Sequence, residues 1–188
     1  TVYPSVRAVG AGLAEKIFYL TAKTITRTVA QEAFLLLQEK GVEFKVATIT
    51  AKEKLCLCDE MECNPQECPY ARGHFDRINE AVYELWTTKN HYTRDILQEH
   101  ARKWQVCPFE MCLDLSVWTD GVICDYNYVF DPNVYLKRFF AEGTKGDYIF
   151  LIDEAHNLVD RGRQMYSAAL YKEEVLKIRK SLKPYGGK

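Results

Sequence analysis

Asp153, Glu154 and His156 follow directly on the apolar run Tyr148-Ile-Phe-Leu-Ile152, in the order Asp-Glu-Ala-His. Ligands of an open α/β sheet bind in the crevice outside the carboxyl ends of its strands, so a carboxylate pair at that point stands where chemistry is done. Phosphoryl transfer uses such a pair: Asp153 to hold magnesium, Glu154 to orient and deprotonate an attacking water. The same two residues also suit the first turn of a helix, where acidic side chains are favoured with no chemistry attached.

Seven cysteines are the second chemical feature: Cys56, Cys58, Cys63, Cys68, Cys107, Cys112 and Cys124. An odd number in a chain without secretory signals argues against a disulfide framework and for bound metal. Pro65 lies between Cys63 and Cys68, Pro69 follows Cys68, and Pro108 follows Cys107. Proline stiffens such loops and leaves neighbouring N–H groups available to sulfur. Six residues separate Cys56 from Cys63, four separate Cys63 from Cys68, and 38 separate Cys68 from Cys107. Zinc ribbons show two tight pairs, which this set lacks, whereas a four-cysteine iron–sulfur cluster tolerates wide and irregular spacing. Zinc and inert buried thiols stay open on spacing alone. Cys124, at the end of an apolar run, reads as core; Cys58 and Cys112 read as spare thiols beside the cage.

These groups need elements to hold them. Residues 16–21 form an apolar run rich in β-formers, followed by a helical pattern through Ile25, Val29, Ala33, Leu36 and Leu37 that stops at Gly41. Further strands are expected at 43–50, 121–124 and 147–152, the last buried on both faces because it is almost continuously apolar. A helix is expected over 131–141, opened by Pro132. The pattern predicts an α/β fold with an open parallel sheet. Between residues 51 and 112, which hold six of the seven cysteines, it changes to two amphipathic helices without a convincing strand. One carries Phe75, Ile78, Val82, Leu85 and Trp86 as its inner face; the other, capped by Thr93, carries Ile96, Leu97, Ala101 and Trp104. This segment reads as an insertion.

With 188 residues, 47% hydrophobic and 27% charged, the chain is long enough for one domain, or one carrying an insertion, and is neither disordered nor fibrous. No run is long and apolar enough to cross a bilayer, and a cytoplasmic protein without membrane contact is expected. Twenty-five basic residues against 26 acidic ones give no overall charge argument for a nucleic-acid partner. Residues 161–188 nevertheless hold eight Lys or Arg against two Glu. That is the solvated face of a terminal helix or, as a second reading, a polyanion contact. Residues 1–13 read as the end of a helix breaking at Gly10 and Gly12, and the chain as a whole reads as a fragment.

Taken together, the cysteine set, the Asp-Glu-Ala-His box and their order resemble the iron–sulfur superfamily-2 DNA helicases of the DinG and XPD family, and within it the DinG-like bacterial branch. Tyr19-Leu-Thr-Ala-Lys-Thr24 is similar to that family's motif Ia. Cys68-Pro-Tyr-Ala-Arg-Gly-His74, Cys107-Pro-Phe-Glu110 and Asp125-Tyr-Asn-Tyr-Val-Phe-Asp-Pro132 are similar to its flanking segments.

The resemblance implies an incomplete RecA-like sheet (residues 1–50 and 113–160), an inserted four-cysteine domain (51–112) and the start of a helical arch (161–188). It implies a 4Fe-4S cluster on Cys56, Cys63, Cys68 and Cys107, with magnesium on Asp153, Glu154 activating water and His156 coupling nucleotide state to DNA. Thr21, Lys23 and Thr24 would then lie at DNA phosphates. The implied parent is a monomeric DNA-repair motor that hydrolyses ATP, moves 5′ to 3′ on single-stranded DNA and opens duplex junctions. No G-x-x-x-x-G-K-[ST] loop occurs in these residues, so the chain alone is expected to be inactive. A stand-alone iron–sulfur or zinc module binding DNA or a protein, without ATPase activity, is the alternative. A redox sensor using Cys58 and Cys112 is a third, weaker reading.

Overall fold

Side chains alternate along β1 (Lys16–Thr21): Ile17 packs with Phe34, Phe44 and Ile123, while Phe18 and Leu20 join Ala47, Val122 and Cys124 on the opposite face. This period of two is the pleat of a strand, and both faces must be covered because parallel strands bury both. The computed structural model describes residues 1–22 and 24–182. Within them β1, β2 (Val46–Thr48), β3 (His91–Tyr92), β4 (Gly121–Asp125) and β5 (Tyr148–Ile152) form one parallel sheet in the order β3-β2-β4-β1-β5.

Two helices, α1 (Val2–Gly10) and α2 (Thr24–Glu39), bring Val6, Ala30 and Phe34 to one face. The other face is covered by α4 (His74–Thr88), α5 (Arg94–Trp104) and α6 (Pro108–Trp118), which supply Leu85, Leu97, Ala101, Met111 and Leu115 to a continuous core. Short helices complete the chain: α3 (Lys52–Leu55), α7 (Asn127–Phe130) and α8 (Lys137–Phe140). After β5 come a 3-10 turn (Ala155–Asn157), α9 (Leu158–Met165) and α10 (Lys172–Leu182). The open α/β sheet is therefore the one the sequence pattern predicts.

Four local expectations are corrected. The segment 51–112 does contain a strand: β3 pairs with β2 at the sheet edge, and its helices share the sheet's core. No helix spans 131–141. The Asp131 carboxylate accepts the Asn133 N–H at 2.8 Å and the Leu136 N–H returns to the Tyr128 carbonyl at 2.8 Å, so the chain turns there and only α7 and α8 remain. β5 is the edge strand among the described residues and Phe150 is 40% exposed, not buried on both faces. Finally, α4 turns His74, Ile78, Ala81 and Leu85 inward and leaves Phe75 87% exposed.

The first residue of β1 also ties the sheet to α6. Lys16 is buried, and its ammonium donates to the carbonyls of Ser116 (2.9 Å) and Thr119 at the C-terminal end of α6, where carbonyls lack helical partners. Beside it Gly121 opens β4, and a Cβ there would stand 2.9 Å from the Phe44 ring, so glycine permits the close approach.

Burial pulls the Lys16 pKa down from 10.5 to about 8, against the opposing pull of Asp120 and Glu15. Between those values the unfolded chain holds a proton that the folded chain has lost, so this group's contribution to stability rises with pH. Lys16→Met should destabilise the fold by about 2 kcal/mol at pH 7 by stranding two helix-end carbonyls. In urea unfolding, the stability difference between wild type and variant should widen from pH 8 to 10.5; a constant difference would refute the linkage.

Candidate functional site

The Asp153 backbone is held from two sides. Its N–H donates to the Leu20 carbonyl at 3.0 Å, continuing the β1–β5 ladder by one rung, and its carbonyl accepts the Tyr126 hydroxyl. The Tyr126 side chain is buried, and that burial, with the Asp153, Glu154 and Asp125 carboxylates, raises its pKa and keeps the hydroxyl a donor. Glu154 then adopts a left-handed conformation, φ 51°, uncommon for a side chain of this type. The turn it starts brings His156 Nε2 to 3.4 Å from a Glu154 carboxylate oxygen, with both side chains exposed. Asp153, Glu154 and His156 therefore sit together at the carboxyl edge of the sheet.

Next to them the segment after β4 is pinned to α9. The Asp125 carboxylate accepts the Asn127 N–H at 2.9 Å and the Arg161 guanidinium at 2.9 Å. Farther along, the Tyr166 hydroxyl donates to the Phe130 carbonyl at 3.0 Å. On its other side this segment walls a cleft of about 800 Å³ across the ends of β1 and β4. Five cations line the cleft, Arg27, Lys52, Lys54, Lys137 and Arg138, against the three carboxylates of Glu53, Glu110 and Asp125. Arg138 is engaged by Asp114 and lies 3.9 Å from Glu110. Arg27 keeps a buried Nε–H without a hydrogen-bond partner among the described residues.

Of the motif Ia residues, Thr21 is fully buried, its hydroxyl donating at 3.5 Å to the Cys124 carbonyl in β4. Its expected place at a DNA phosphate is corrected: the pleat turns that hydroxyl into the sheet. Thr24 begins α2, and Lys23 lies outside the described residues.

The thiols gather around a second cavity, about 420 Å³, lined by Cys56, Cys58, Cys63, Cys68 and Cys107. Cys58, read from sequence as a spare, stands 3.8 Å from the Cys68 sulfur, and burial followed by the Cys68 thiol raises its pKa. Cys112 is not there: it is fully buried on the inner face of α6, its sulfur 3.7 Å from the Thr48 carbonyl. Cys124 is core, as expected. Among the described residues no three His, Cys, Asp or Glu side chains converge closely enough to hold a single metal ion.

Local chemistry shapes the thiol loop. Asn64 accepts the N–H groups of Gln66 and Glu67, both at 3.0 Å, folding the turn between Cys63 and Cys68. Arg72 donates to the carbonyls of Pro65 and Gln66. Arg77 joins this loop to the other cysteine arm by donating to Arg72, Trp104 and Gln105 carbonyls at 2.7 to 2.9 Å. The Cys107 N–H reaches His74 Nδ1 at 3.2 Å; burial lowers the His74 pKa, which keeps that nitrogen an acceptor. Burial opposes the charge on Lys52, but the Cys63 thiol, with Cys107 and Glu110, outweighs it and raises the Lys52 pKa. Asn64-Pro65 carried a turn signal in the sequence; Arg77, Tyr126 and Arg161 carried none, because the partners that matter, Trp104 and Gln105, Asp153, and Asp125, lie far from them in the chain.

The DEAD_2 family model matches residues 21–175. The Fanconi anemia group J protein homolog of Gallus gallus is 29% identical over 101 residues, which is 54% of this chain and 7% of that protein. A solved structure described as truncated XPD matches with a TM-score of 0.57 and 18% identity, over 84% of this chain and 45% of its own. Another, described as XPD helicase, matches with a TM-score of 0.56 and 16% identity, over 86% of this chain and 28% of its own. The chain thus spans less than half the length of each of these relatives, and the two structural likenesses establish a shared fold, consistent with an incomplete RecA-like sheet.

Arg77 gives the thiol cavity a direct test. Arg77→Ala removes the charge-assisted bonds between the two cysteine arms, at a local cost of about 2 kcal/mol. That corresponds to roughly a thirtyfold rise in the population of the opened cavity. Alkylation of Cys68 and Cys107, followed by mass spectrometry, should accelerate by a similar factor while Cys124 remains protected. Equal acceleration at Cys124 would mean global unfolding instead.

Proposed function

The chain belongs to the DEAD_2 family, and from that premise we propose that it forms part of the first motor domain of an ATP-dependent DNA helicase of the XPD and DinG kind. The observation that carries this reading is the meeting of two features at one sheet edge. Asp153 and Glu154 directly follow β5, and the segment bonded to the Asp153 backbone carbonyl through Tyr126 opens onto a cleft richer in cations than in carboxylates. One side suits nucleotide phosphates, the other a nucleic-acid backbone bound without sequence preference.

In this reading Asp153 holds magnesium, whose chemistry is to neutralise charge on the phosphates, and the hard oxygen donor fits it. Glu154, exposed and turned outward by its left-handed backbone, positions and deprotonates the attacking water. His156, 3.4 Å from Glu154, reports its state toward the DNA side. Lys23 and Thr24, next after β1 in the sequence, would contact phosphates together with Arg27 of the cleft. Movement is 5′ to 3′ on single-stranded DNA, opening duplex junctions in the service of DNA repair, by a monomer in the reducing cytoplasm. Among the described residues no helix is long and apolar enough to cross a membrane.

The donor chemistry of the second cavity fits a 4Fe-4S cluster. One zinc would require four sulfurs within about 3.8 Å of one another. The corners of an iron–sulfur cube keep four thiolates farther apart. Cys56, Cys63, Cys68 and Cys107 would hold it, and its service is to brace residues 51–112 as a rigid wedge. These residues hold eleven Asp or Glu against eight Lys or Arg, so aromatic faces such as Phe75 and Tyr83 are their means of touching bases. Residues 1–50 and 113–160 would be the motor sheet and 161–188 the start of the arch.

Purified anaerobically, the protein should contain iron and acid-labile sulfide at about four each per chain; a single zinc would favour a metal-bearing binding module instead. In the full-length protein, Glu154→Gln should lower DNA-stimulated kcat by about 10²- to 10⁴-fold with little change in DNA affinity. The 188-residue chain alone should show no steady ATP turnover, and turnover by it would overturn the expectation that these residues lack a working phosphate loop.

A further inference from the structure

Arg161 lies on α9, directly after the Asp-Glu-Ala-His turn, yet its guanidinium reaches back to the segment after β4. One nitrogen donates to Asp125 Oδ1 at 2.9 Å and to Asn127 Oδ1 at 3.2 Å. The side chain is 33% exposed, its Asp125 partner 24%, and the Arg161 Nε–H is buried without a hydrogen-bond partner among the described residues. Such a pair is a poor stabilising device, because desolvation offsets the attraction and an unpaired buried donor adds a further cost. Orientation is what it supplies. A guanidinium offers only donors, so the Asn127 oxygen must face it, and the Asn127 NH₂ is left as the group able to donate elsewhere. Asn127 lines the cation-rich cleft, where the acceptors brought by a nucleic-acid backbone are phosphate oxygens.

We infer that Arg161 is a positioning residue that couples the nucleic-acid cleft to the Asp153–Glu154 carboxylates, through Asp125 and Asn127 on one side and α9 on the other. The inference rests on the helicase reading above. The route is a closed mechanical loop. Asn127 and Asp125 are bound by Arg161, Tyr126 between them is bound to the Asp153 carbonyl, and α9 follows the turn that contains Glu154 and His156. A phosphate taken up by the Asn127 amide would fix the segment 125–128, and with it the backbone on both sides of the carboxylate turn. Arg161 itself touches neither nucleotide nor nucleic acid.

The test compares ATP hydrolysis by the full-length protein with and without saturating single-stranded DNA, for wild type, Arg161→Gln and Arg161→Lys. Basal turnover should stay within about twofold, while DNA-stimulated kcat falls about tenfold and the half-stimulating DNA concentration rises. Arg161→Lys, which keeps the charge but lacks the rigid planar donor fork, should recover part of the stimulation. Thermal unfolding of each variant is measured alongside. Retained stimulation in Arg161→Gln would overturn the inference. So would an equal fall in basal and stimulated rates with an unchanged DNA requirement, the pattern of a merely structural residue. A wild-type protein without DNA-stimulated hydrolysis would instead overturn the helicase reading, and the inference with it.

Discussion

β1 is hydrogen-bonded along both edges, and its register decides where the chemistry can be. Thr21 faces Asp125 of β4 on one side, and on the other the Leu20 carbonyl receives the N–H of Asp153. Two acidic residues far apart in sequence are thereby set at the same end of one sheet. A slip of one residue would send Phe18 and Leu20 to the wrong face, so the packing against α4, α5 and α6 enforces the register that the site needs. Lys16 adds a second constraint by fastening the start of β1 to the end of α6. The sheet and the helix that begins at Cys107 are in consequence parts of one framework.

The thiol cavity inherits its geometry from that framework. Cys107 stands at the N-terminal end of α6, whose Met111 and Leu115 are fully buried, while Cys56 closes the short α3, anchored by the fully buried Leu55. The loop between Cys63 and Cys68 has little apolar anchorage of its own. Side-chain bonds to carbonyls, from Asn64, Arg72 and Arg77, do the work that a core does elsewhere. Rigid packing thus fixes two of the thiol positions, and polar clamps fix the others relative to them.

Much of the fold was legible because periodicity and turn chemistry agreed: strands β1, β4 and β5, helix α2 with its stop at Gly41, and the Asp-Glu-Ala-His turn. The failures have separate physical causes. Apolar content predicted full burial of β5, but exposure depends on what lies beside a strand, and β5 has only β1 as a neighbour among the described residues. On α4 the expected face holds at Ile78, Val82, Leu85 and Trp86 and fails only at Phe75, because His74, a polar residue, turns inward to meet the Cys107 N–H and carries Phe75 outward. β3 is two residues long, too short to leave a pattern. Thr21 looked like a phosphate ligand by its type and motif, whereas strand alternation commits its side chain to the interior.

Charge shows the same division between what a sequence displays and what a fold assembles. The chain is almost neutral, and its one basic run lies at the C-terminal end, away from the carboxylate turn in sequence. The cations of the cleft come from α2, α3 and α8, each contributing one or two residues that no window along the chain would mark as basic. Convergence, not composition, makes the local field, and low-dielectric walls strengthen it. Asp125 sits within that field and is answered by Arg161 from α9, an element that lies outside the cleft. With that pairing a carboxylate can remain at the rim without repelling a polyanion, and its remaining hydrogen bond can shape the turn that presents Asn127. The acidic residue at the cleft is consequently part of the means of holding a negatively charged ligand, not a contradiction of it.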